Sequence, residues 1–126
     1  MSGRSWIATG AYAAAVAIGA GAFGAHALRA RLDAHALGLW ETAARYAMYA
    51  ALALIAIGLT RRGSEVPPSR ALVVAPWCLS IGAAIFTSTL AALALGAPRF
   101  WGAITPLGGL LMISGLVLFG LAARKR

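Results

Sequence analysis

Residues 6–28, 46–60, 71–98 and 100–123 contain no Asp, Glu, Lys or Arg and are almost wholly apolar. A helix needs roughly 20 apolar residues to cross about 30 Å of hydrocarbon. Each run, extended where its flanks allow, meets that length, so the sequence predicts spans at 6–28, 42–60, 71–97 and 101–123. Four such helices consume most of the 126 residues and leave short connections. The expected fold is all-α, a four-transmembrane-helix integral membrane bundle in a single domain covering 1–126.

Composition points the same way. The chain is 61% hydrophobic and 11% charged, where soluble domains are about half apolar and about a quarter charged. So small a domain has no water-excluding core able to hide that much apolar surface. The net charge of +8 would suggest nucleic acid in a soluble chain. Here the basic residues flank apolar runs, where lipid head groups lie. The expected contacts are therefore membrane lipids, with anionic head groups at the Arg- and Lys-rich ends, and not nucleic acid.

Arg4 and the run Ala25-His26-Ala27 also suit a cleaved signal. The apolar run beginning at Trp6 exceeds the ~7–15 residues of a signal core, however, and the segment is read as a span. Basic residues set orientation. Arg4, Arg61, Arg62, Arg70, Arg124, Lys125 and Arg126 fall on one side, and Arg29, Arg31, Arg45 and Arg99 on the other. Both termini are thus expected in the cytoplasm, in a bacterial inner (plasma) membrane. Trp6, Trp40, Trp77 and Trp101 lie near predicted span ends, as an interfacial aromatic belt requires.

Small residues let helices approach closely in lipid. Ala13, Ala17, Gly21 and Ala25 recur every four residues, as do Ser80, Ala84, Ser88, Ala92 and Gly96. Both stripes, with Gly108 and Gly109, are predicted to pack against other helices. Gly21→Leu should then overpack its contact and cost about 1–3 kcal/mol. Pro76 and Pro106 are each expected in or near a first helical turn, where a missing N–H is tolerated. The first connection, 29–40, reads either as a short interfacial helix broken near Gly38 or as a polar loop.

Polar chemistry is sparse. If the first two spans form a hairpin, His26 comes near Glu41 and Arg45. Two readings stand: a site that relays protons or holds a small polar ligand, or a structural pair at the lipid interface. His26 and His35 are nine residues apart, out of phase on a continuous helix, and no metal site or cofactor is expected. Ser80, Thr87, Ser88 and Thr89 have no neighbouring base, so no catalytic residue is assigned. Cys78 is the sole cysteine and reads as a packing residue.

Three blocks, Gly21-Ala22-Phe23-Gly24-Ala25-His26-Ala27-Leu28, Glu41-Thr42-Ala43 with Tyr46-Ala47-Met48-Tyr49, and Ile104-Thr105-Pro106-Leu107-Gly108-Gly109, resemble the YgdD-type family of small bacterial membrane proteins. That family is a domain of unknown function. The resemblance covers nearly the whole chain and implies a four-helix membrane protein with no assigned substrate. The chain departs from the family's pattern at Ala50, at Ser88-Thr89-Leu90-Ala91 and at Gly115-Leu116. The leading functional expectation is a non-enzymatic scaffold, partner-binding or membrane-homeostasis protein, as a homo-oligomer or with another membrane protein. The alternative is a small transporter or channel component acting as an oligomer.

Overall fold

A computed structural model describes residues 1–125; Arg126, counted above for orientation, lies outside them. The described chain is helical, and four of its helices are long and apolar enough to cross a membrane. Helix α1, Gly3–Phe23, starts where Ser2 Oγ accepts the Ser5 N–H at 3.1 Å. It runs on into a π-helical turn, Gly24–Leu28. Helix α2 spans Ala34–Arg62, α3 Arg70–Ala94 and α4 Trp101–Arg124.

The first connection is shorter than the sequence suggested. Asp33 Oδ1 accepts the Ala36 N–H at 2.7 Å and starts α2 there. Gly38 is absorbed into the helix; it breaks nothing, and no separate interfacial helix forms. At 29 residues, α2 is about 43 Å long at 1.5 Å per residue, more than the hydrocarbon thickness. Tilt and polar ends absorb the excess.

Both internal prolines sit deeper than expected. Pro106 is the sixth residue of α4, and Pro76, the seventh of α3, is fully buried. Helix α3 stops at Gly96, whose φ of 96° is left-handed. The Gly96 N–H donates to Leu93 O and the Ala97 N–H to Ala92 O, a glycine-capped helix end. Gly96 is therefore a cap rather than a packing residue.

Helix α1 packs on α2, α3 packs on α4, and α2 against α3 joins the two hairpins. The shared core gathers Trp6, Leu54, Ile57, Leu72, Leu79 and Met112. Along each helix one series of close-packed positions recurs every seven residues. They are Gly3, Gly10, Ala17 and Gly24 on α1 and the turn after it; Ala43, Ala50 and Ile57 on α2; Ala75, Gly82 and Thr89 on α3; and Gly108, Gly115 and Ala122 on α4. All but Gly3 are buried.

The reason is geometric. A step of four residues rotates ~40° around a helix of 3.6 residues per turn, so a four-residue stripe spirals off the interface. A step of seven drifts only ~20°, which a left-handed supercoil removes.

The four-residue stripes are accordingly corrected. Ala17 is buried and Ala13 half-buried, but Ala25 is exposed, and a Cβ built on Gly21 meets nothing within 4 Å. On α3, Ser80 and Ala92 are half-buried, while Ala84 and Ser88 are exposed. Gly108 is buried: a Cβ there would stand 2.5 Å from the Phe86 amide nitrogen. Gly109 is looser, with the Phe86 ring 3.6 Å from the same construction.

Candidate functional site

His26 lies in the π-helical turn, and Glu41 and Arg45 stand one turn apart on α2. Between these elements sits Trp40. Its Nε1–H donates to Ala20 O at 2.8 Å, and its ring fills the space a Gly24 side chain would need. Trp40 thus anchors the start of α2 to the end of α1. The structure shows no bonded polar cluster there. His26, Glu41 and Arg45 are all exposed, and among the described residues no hydrogen bond or ion pair joins them. The π turn inserts a residue into the helical register, so His26 points elsewhere than an unbroken helix would send it.

The more enclosed feature is a groove in the membrane-spanning part. Its floor is α2, because α1 and α3 do not pack along their length. Ala13 and Val16 form one wall, Ser80, Ala84 and Thr87 the other, and Ala47 lies in the floor. The volume is about 320 Å³, continued by about 190 Å³ toward Trp40 through the shared Val16, Ala47 and Thr87. At the end near the termini the walls meet. Trp6 of α1 and Trp77 of α3 pack edge to face, centroids 5.1 Å apart at 86°.

That contact corrects the role expected of Trp6. It is 1% exposed and belongs to the core rather than to an interfacial belt. Its Nε1 is buried and makes no hydrogen bond, and the same is true of Ser80 Oγ in the groove wall. Buried polar groups are ordinarily bonded, which sets these two atoms apart.

Several other hydroxyls in the helices are engaged. Thr42, Thr60, Thr87 and Ser114 donate to carbonyls four residues back, at 2.7–2.9 Å. Ser88 donates to Ile85 O at 3.3 Å. Thr89 and Thr105 share a buried 2.7 Å hydrogen bond between α3 and α4, a contact the sequence reading missed. Their exchange with nearby carbonyls, Ile85 O at 2.7 Å and Trp101 O at 3.2 Å, completes the pairing. Among the described residues no three of His, Cys, Asp or Glu gather as metal ligands.

Comparison with known proteins gives one consistent result. The family model described as "Protein of unknown function (DUF423)" matches residues 20–109. This stretch contains all three sequence blocks singled out above. The UPF0382 membrane protein SERP0230 of Staphylococcus epidermidis is 39% identical over 122 residues, 97% of each chain. The UPF0382 membrane protein SSP2132 of Staphylococcus saprophyticus is likewise 39% identical over 122 residues, covering 97% of this chain and 98% of its own. SAB0533 of Staphylococcus aureus, of the same designation, is 37% identical over 122 residues. No solved structure matches.

Proposed function

We propose a function from the premise that this chain belongs to the DUF423 family and is a multi-pass membrane protein: it acts without catalysis, as a small intramembrane scaffold whose α1–α2–α3 groove receives one helix of a partner membrane protein. The observation that carries this is the small-residue lining of the groove. Ala13 and Ala84 stand in its walls and Ala47 and Ala50 in its floor, and alanines leave room for a second backbone to come close. Helix pairs in lipid are held by such small residues and by hydroxyls bonding across the contact.

Further support comes from α1. Tyr12 is 75% exposed and Val16 72% exposed on a helix whose extensive packing is on α2 and which meets α3 at the Trp6–Trp77 contact. The transport reading draws less support. The hydroxyls above turn to the backbone of their own helices or to each other, and do not line a polar path. The bacterial relatives and the asymmetry of basic residues favour a bacterial inner (plasma) membrane with both termini in the cytoplasm. Anionic head groups then suit Arg61, Arg62, Arg124 and Lys125.

The test is site-specific photo-crosslinking in cells of origin. A crosslinker at Ala84, in the groove wall, should give a discrete protein adduct that Ala47→Leu, filling the floor, abolishes. A crosslinker at Gly120, exposed and open, should not. Equal labelling from both positions, or an Ala84 adduct indifferent to Ala47→Leu, would sink the proposal.

A further inference from the structure

At the end of the molecule away from the termini, the two hairpins leave a second concavity, of about 610 Å³. Its rim is Arg31 and Asp33 from the first connection, His35 at the start of α2, and Arg99 from the α3–α4 connection. Pockets of this size hold small molecules. We propose that Arg31, His35 and Arg99 form a binding site for a phosphate-bearing anion, at head-group depth and bridging the two hairpins.

Charge carries the argument. Two arginines and a histidine converge from separate elements on one cavity, and the only acid on its rim is Asp33. That carboxylate is engaged in capping α2 through the Ala36 N–H. Among the described residues neither arginine makes an ion pair or side-chain hydrogen bond. Arginine forks suit phosphate oxygens in bidentate geometry. The positive end of the α2 dipole points the same way. The opposing negative end of α3 is partly muted, because the carbonyls of Ala91, Ala92 and Leu93 are taken by the N–H groups of Leu95, Ala97 and Gly96. Depth is marked by Phe100 stacked on Trp101, centroids 5.6 Å apart, with Phe100 exposed. Aromatics of this kind sit at the level of lipid head groups. A lipid phosphodiester and a soluble phosphate share the chemistry required.

Two ligands distinguish them. Short-chain phosphatidylglycerol is scored by native mass spectrometry of the full chain in detergent. Inorganic phosphate is scored by thermal shift at constant ionic strength. The parent should bind at least one. Arg31→Gln with Arg99→Gln should weaken that binding about tenfold or more, the scale of one lost charge-assisted hydrogen bond. Arg29→Gln with Arg45→Gln removes equal charge from the same end without touching the rim, and should change little. Phosphatidylglycerol binding without phosphate binding assigns the lipid; phosphate binding as tight or tighter assigns the soluble anion.

Protection mapping on the parent needs no variant. The bound ligand should shield Arg31 and Arg99, but not Arg29 and Arg45, from phenylglyoxal. Binding of neither ligand, equal weakening by both double variants, or equal shielding of all four arginines would overturn the proposal.

Discussion

A single methyl group on Gly82 probes the seven-residue packing directly. A Cβ there would stand 2.7 Å from Gly108 O, 2.7 Å from Met112 N and 2.8 Å from Leu111 Cβ. Two of these are backbone atoms of α4, so no rotamer change relieves them, and the helices must part. Overpacking of this kind costs about 1–3 kcal/mol. Alanine's helical advantage over glycine, about 1 kcal/mol, offsets part of it and leaves a net loss of up to about 2 kcal/mol for Gly82→Ala.

Gly21 supplies the opposite sign. Its Cβ would enter open space, so Gly21→Ala should stabilise by about 0.4–1 kcal/mol. The double variant Gly82→Ala with Gly108→Ala should cost less than the sum of the singles. The two constructions meet each other's carbonyls, and the helices part only once. Steric trapping in bicelles reports these differences in a membrane-like solvent. Gly82→Ala as stable as the parent, together with a destabilised Gly21→Ala, would refute the seven-residue assignment and restore the four-residue one.

Other consequences are open to measurement. Trp40→Phe removes the hydrogen bond to Ala20 O and should cost about 0.5–1.5 kcal/mol, read as a lower unfolding midpoint; an unchanged midpoint would mean Trp40 does not anchor the hairpin. Thr89→Val and Thr105→Val should couple by about 0.6 kcal/mol in a double-mutant cycle, and strict additivity would show that their 2.7 Å contact contributes nothing. Topology reporters at either terminus should read cytoplasmic and one after Asp33 periplasmic. A periplasmic C-terminal reading would contradict the charge argument.

The helices were legible because charge exclusion from hydrocarbon leaves a plain trace in sequence. Their packing was harder to read. Alanine is so frequent here that four-residue runs of small residues arise without meaning. Glycine alone was the better guide: Gly3, Gly10 and Gly24 fall on one seven-residue series, as do Gly108 and Gly115. These are positions where even a methyl group collides with the neighbouring helix. The start of α2 was obscured by weighing Gly38 as a breaker, when the Asp33 cap and the apolar positions after it outweigh one glycine. The His26 cluster followed from hairpin topology, which sets the level of a residue but not its direction. The Arg31–Arg99 rim escaped notice because its members lie far apart in the chain and meet only where the hairpins do.

The pairing of α1 with α2 and of α3 with α4 bears on biogenesis. The most extensive interfaces join consecutive helices, so each forms as soon as its second helix has been inserted, without waiting for distant chain. The molecule is correspondingly divisible. A coding sequence cut within residues 63–69 would yield two fragments, each a complete helix pair, that meet again through α2, α3 and the Trp6–Trp77 contact.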